Sequence, residues 1–105
     1  MAWSSAATVD DRLVARDEVH YRTRASRADG RDMRFLVVNI SAYGLMARCD
    51  DPLAVGDAVR VTLPGAGPCA GEVRWSLGGR AGIQFDRPIA LAAYYELLAA
   101  MVRAG

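Results

Sequence analysis

A chain of 105 residues has the material for one hydrophobic core and not for two. Hydrophobic residues make up 52% and charged residues 24%, which excludes a disordered or fibrous polymer. The formal net charge of +1 leaves no whole-molecule attraction to a nucleic-acid backbone, so any anion site has to be local.

Met1 to Asp11 has neither a positive n-region nor a continuous apolar run, so it does not read as a secretory leader. A flexible N-terminus over 1–11 and a cytoplasmic location are expected. Arginine then dominates: Arg12, Arg16, Arg22, Arg24, Arg27, Arg31 and Arg34 crowd the first third, and lysine is absent throughout. A guanidinium forks onto phosphate oxygens or a guanine edge two bonds at a time, which an ammonium group does not. High genomic GC content, which turns lysine into arginine everywhere, explains the same bias without a ligand.

Glu18 to Ala25 alternates, with Val19, Tyr21, Thr23 and Ala25 on one face and Glu18, His20, Arg22 and Arg24 on the other, and predicts a half-buried strand. Ala28-Asp29-Gly30-Arg31 is a hairpin turn, and Met33 to Ile40 is the returning strand, buried most deeply at Leu36, Val37 and Val38. Ser41-Ala42-Tyr43-Gly44 interrupts the pattern, and glycine there would admit a backbone angle closed to other residues. Leu45 to Cys49 is a third strand, Asp50 to Asp57 a loop with Pro52 and Gly56, and Ala58 to Leu63 a fourth strand ended by Pro64-Gly65-Ala66-Gly67-Pro68. Cys69 to Ser76 and Arg80 to Phe85 form a second hairpin around Gly78-Gly79.

Asp86 as N-cap and Pro88 in the first turn predict a helix from Ile89 to Arg103. The apolar stretch Ile89 to Val102 is interrupted by Glu96 and is too short to span a bilayer. Six short strands and a terminal helix predict an all-β class, a small antiparallel barrel over 17–86 with a helix over 88–103, since closure removes exposed edges. Cys49 and Cys69 lack metal-ligand spacing and read as small buried apolar residues in a reducing compartment, with a disulfide as the alternative.

Two motifs carry the chemistry. Arg12-Leu13-Val14-Ala15-Arg16 places an arginine pair four apart before the first strand, and Asn39-Ile40-Ser41-Ala42-Tyr43-Gly44 closes the second. Taken singly, Asn39 and Ser41 suit a turn whose backbone they satisfy, and Arg12 and Arg16 suit a solvated face. Together, their order and spacing resemble the PilZ family, in which an Arg-x-x-x-Arg arm and an Asp/Asn-x-Ser-x-x-Gly motif hold cyclic di-GMP on the outside of a six-stranded barrel. Pro52 to Asp57, Gly71 to Trp75 and Ala81 to Phe85 resemble the family's later strands, so the likeness spans about Arg12 to Ala100.

The resemblance implies that Arg12 and Arg16 grip guanine edges and phosphates, that Asn39 and Ser41 hydrogen-bond a guanine, and that Gly44 shapes the turn. Tyr43 is a candidate to stack on a guanine. Trp75 follows Val73 by period two and is expected to fill the barrel or support the ligand edge. The arm over 12–16 is expected to close over the ligand and alter a partner surface; with almost no sequence before it and none after the helix, the signal is expected to pass to a separate protein.

Other classes are weaker. A PilZ-like domain working only through the Tyr94 to Met101 helix face would not need both motifs. A small RNA-binding barrel would need an interleaved aromatic and basic strip, so no DNA or RNA partner is expected. His20, the lone histidine, has no nucleophile or second acid-base group at a known position, so no catalysis, cofactor or metal is expected.

Overall fold

Seven elements account for residues 16–104, the part of the chain that the structure, a computed structural model, describes. They are β1 (Asp17–Arg27), β2 (Asp32–Ser41), β3 (Gly44–Arg48), β4 (Ala58–Leu63), β5 (Gly67–Leu77), β6 (Arg80–Phe85) and α1 (Leu91–Ala104). The strands close into a barrel in the order β1-β2-β3-β6-β5-β4, and every neighbouring pair is antiparallel. The seam between β1 and β4 is short, with Ala25, Ser26 and Arg27 opposite Val61, Arg60 and Val59.

Inward-facing side chains follow the two-residue period of a pleated strand. Val59, Val61 and Leu63 of β4 are buried and alternate with exposed Ala58, Arg60 and Thr62. Met33, Phe35 and Val37 of β2 do the same, and with Leu45, Ala47, Val73, Ala81, Ile83 and Phe85 they fill the interior. The expected burial peak at Leu36, Val37 and Val38 is therefore corrected: only Val37 is buried, because alternate side chains leave the core.

Three irregularities interrupt the alternation. One lies in β1 between Glu18 and Tyr21, one in β2 between Val37 and Asn39, and one in β5 between Val73 and Trp75. In the last two, a step of two residues on one strand matches a step of one on its partner. The extra residue is the mark of a β-bulge, and it reverses the face presented by everything beyond it.

The helix begins later than predicted. The backbone of 86–90 serves the barrel instead: the Asp86 N–H donates to the Ala70 carbonyl (2.9 Å) and the Ile89 N–H to the Ala42 carbonyl (2.8 Å). Asp86 and Pro88 thus belong to the connection, not to a cap and first turn, and the Tyr94 N–H donates to the Ala90 carbonyl (2.8 Å) where the helix starts. From there Tyr94, Leu97 and Met101 form a buried stripe at helical spacing. The helix packs against β1. It is not long and apolar enough to cross a membrane, nor is any other helix among the described residues. Both cysteines are free thiols, Cys49 buried and Cys69 half-buried, so the disulfide alternative does not hold. Burial raises both thiols above their ordinary pKa, and for Cys49 the nearby Asp51 and Asp50 charges add to it.

Candidate functional site

The two motifs meet through side chains. Arg16 Nη1 donates to Asn39 Oδ1 at 2.9 Å across 23 residues of sequence, so the end of the arm rests on the second motif. This bond takes one of the two lone pairs of the amide oxygen. The NH2 end of Asn39 has no partner among the described residues and is left to donate to an acceptor outside the protein. Arg12 lies outside the described residues.

Asn39 reaches this position because of the β2 bulge. Val37 points inward opposite Ala47, and strict alternation would send Asn39 inward after it. The extra residue, Val38, turns Asn39 outward opposite Met46 instead, while Ile40 returns to the core opposite Leu45. Bulges recur beside binding sites because they re-aim one side chain without dismantling the sheet.

Ser41 is 2% exposed, and its Oγ accepts the Tyr43 N–H at 3.1 Å. It therefore closes the turn that presents the motif. Tyr43 is 51% exposed. The Tyr43 carbonyl accepts the Phe85 N–H at 2.9 Å, and the neighbouring Ala42 carbonyl accepts Ile89, so β6 and the connection to α1 clamp the turn from two sides. Gly44 is needed here for a different reason from the one its sequence position suggests. Its φ is not positive; rather, a Cβ on it would run into the Ile83 backbone carbonyl of β6. Close approach of two strands, not a special dihedral, reserves the position for glycine.

Trp75 also departs from expectation. Of the two placements expected for it, the barrel interior does not hold: the bulge after Val73 turns it out, where it is 41% exposed and lies over Gly82. A Cβ at Gly82 would occupy the volume of the indole. The ladder then sets one lateral row on the outer face: Glu18, Asn39, Met46, Gly82 and Trp75 are successive cross-strand partners. Along this row Trp75 lies three strands from Asn39, half-way round the closed six-stranded barrel.

Helix α1 is tied to both motifs by one group that period-based reading left unnoticed. The Tyr94 hydroxyl contacts Asp17 Oδ2 at 2.5 Å and the Ile40 carbonyl at 3.0 Å. Asp17 follows Arg16 directly, and Ile40 lies between Asn39 and Ser41. Burial first, and then the hydrogen bond and negative charge of Asp17, hold the phenol protonated well above the ordinary tyrosine pKa. The contact to Asp17 spans 77 residues, and nothing in the local sequence signals it. No group of three or more His, Cys, Asp or Glu side chains able to hold a metal occurs among the described residues.

The sequence of residues 11–104 matches the family model for the PilZ domain. The chain belongs to the PilZ family. Solved PilZ structures share its architecture. The PilZ domain of CeSA from a cellulose-synthesizing bacterium superposes with a TM-score of 0.60 at 14% identity, over 86% of this chain and 97% of that one. The Bacillus subtilis inhibitor of motility MotI/DgrA gives 0.58 at 19% identity, over 87% of this chain and 49% of that one. The PilZ domain of YcgR from Escherichia coli, solved with c-di-GMP, gives 0.55 at 15% identity, over 87% and 90%. At these identities the likeness is one of fold. No curated protein sequence matches the chain. PilZ domains are regulatory binding domains, and the family is one of cyclic di-GMP receptors.

Proposed function

We propose that this PilZ domain is itself a receptor for cyclic di-GMP and relays the ligand's presence to a separate protein. The observation that supports it most is the Arg16–Asn39 hydrogen bond at 2.9 Å, which joins the end of the arginine arm to the bulged strand end carrying the second motif. Cyclic di-GMP presents two guanine edges rich in acceptors and two phosphates, and arginine forks onto either. In this reading Arg16 exchanges Asn39 for the ligand, and Arg12 supplies the second fork. Asn39 donates its amide to a guanine, with Ser41 and Gly44 holding the turn in shape. Trp75 and Tyr43, both exposed, offer faces for stacking a base.

Relay follows from position. An arm that changes partner at Arg16 shifts its neighbour Asp17, which holds the Tyr94 hydroxyl of α1. The outer side of that helix exposes Leu91, Tyr95 and Val102, and a protein effector is sought there.

Calorimetric titration at fixed salt, with GTP and cyclic di-AMP as controls, tests the receptor reading. Saturable binding selective for cyclic di-GMP is expected. Arg16→Ala is expected to weaken it by about 2–5 kcal/mol, since a fork onto a charged group is lost, and Ser41→Ala to weaken it through the loosened turn. Absence of heat and of any thermal shift at millimolar ligand would sink the reading and leave an interaction domain working through α1.

A further inference from the structure

Beyond the Asn39 row, the same outer face carries a concentration of arginine that the nucleotide site does not use. The next row across the barrel runs Arg22, Leu36, Arg48, Arg80, and the row after it sets Arg24 opposite Arg34. All five arginines are exposed, and none forms an ion pair with a described residue. Arg48 faces Arg80 directly, and Arg24 faces Arg34 directly. Like charges at directly opposed sheet positions destabilise the fold. High arginine usage accounts for guanidinium in place of ammonium, but not for two such pairs side by side on a chain whose net charge is only +1.

Four of the five line a shallow concavity of about 550 Å³ with half-buried Leu36 on its floor. Asp50 closes the lining at one side, and Asp32 and Asp51 continue beyond it in the adjoining depression. We infer that this concavity is a docking site for a short acidic segment of a protein, one that sets carboxylates on the arginine forks and an apolar side chain on Leu36. The rim decides among anionic partners. A continuous phosphate chain crossing the face would run past Asp50 into Asp32 and Asp51, and a bilayer surface would not enter a concavity, whereas a short acidic segment ends before Asp50. The assignment is independent of cyclic di-GMP binding.

The test uses the full chain and a fluorescein-labelled peptide of repeated Glu-Leu-Glu-Ser, read by anisotropy. Oligouridylate, phosphatidylserine vesicles and a Lys-Leu-Lys-Ser peptide are run beside it. Saturable, salt-sensitive binding of the acidic peptide is expected, weakened at least about tenfold in Arg34→Glu/Arg80→Glu. Because that variant replaces two like-charge pairs with two opposite-charge pairs, it should melt higher by roughly 2–8 °C, which separates lost binding from lost folding. Its cyclic di-GMP titration should match that of the parent, so failure of one site is distinguishable from failure of the other. Peptide binding unchanged in the variant, no peptide binding by the parent, or tighter binding of oligouridylate or vesicles than of peptide would each overturn the inference.

Discussion

Strands β4 and β5 lie side by side in unbroken register, yet they treat their side chains differently. β4 keeps one face to the interior along its whole length. β5 does so at Cys69, Gly71 and Val73, then changes face at the bulge and puts Trp75 outside. β2 repeats the second behaviour, with Val37 inside and Asn39 outside. The regular strand contributes to the core alone. β2 and β5 contribute core and also, at the position after the extra residue, one side chain on the outer surface. In this barrel a break in alternation marks where a strand turns from filling the core to presenting a side chain outward.

That contrast is open to attack at its strongest point. Leu63 of β4 is 1% exposed, and Leu63→Ala should cost about 2–5 kcal/mol in urea denaturation, with cyclic di-GMP affinity lost only through unfolding. A loss much below that range would mean that the regular strand is not the structural partner assumed here.

The two glycines beside the bulges sharpen it further. In Gly44→Ala the new methyl meets the Ile83 backbone carbonyl, which has no rotamer to yield, and about 1–3 kcal/mol of stability should go. In Gly82→Ala the obstacle is the Trp75 side chain, which can swing aside, so stability should fall by less than in Gly44→Ala while the indole emission of Trp75 changes. Equal losses in the two variants would contradict the view that the β5 bulge serves an outer face rather than the core.

The smallest effect concerns α1. Tyr94→Phe removes one hydroxyl shared by Asp17 and the Ile40 carbonyl and should cost about 1–2 kcal/mol near neutral pH. The sign of its pH dependence follows from the raised phenol pKa. Above about pH 10 the unfolded chain releases the tyrosine proton while the folded chain retains it, so folded stability falls with rising pH by up to ~1.4 kcal/mol per unit. Denaturation series above pH 10 should show this slope in the parent and a shallower one in Tyr94→Phe. Matching slopes would mean that Tyr94 ionises as freely folded as unfolded.

Much of the architecture was legible in the residues. Alternation located β1, the loop and Pro/Gly breaks around Ala58 to Leu63 located β4, the Asp29-Gly30 and Gly78-Gly79 turns located two hairpins, and six strands with one helix implied closure. The motif pair was legible as well, and Arg16 and Asn39 do meet. What stayed hidden depends on partners far away in sequence. Whether Trp75 faces in or out is decided by its pairing with Gly82, because periodicity carries no information about an extra residue. The late start of α1 depends on Ala42 and Ala70 competing for the amides of 86–90. The reason for Gly44 lies in Ile83, and the role of Tyr94 in Asp17 and Ile40. The opposed arginine pairs emerge only when the register is known.

The short seam between β1 and β4 has a consequence for how the molecule breathes. Ala25, Ser26 and Arg27 form the ladder there, with the Thr23 hydroxyl donating to the Thr62 carbonyl (2.6 Å) beside them, while the opposite end of the same strand carries Asp17 next to Arg16. β1 is thus a stave fastened at one end by the hoop and at the other by the site. Slow amide exchange should report this directly: protons along the seam open before those of the β2–β3 and β4–β5 ladders, and any ligand that pins Arg16 slows the loss of protons at Ala25 to Arg27, at the far end of the stave, without touching them.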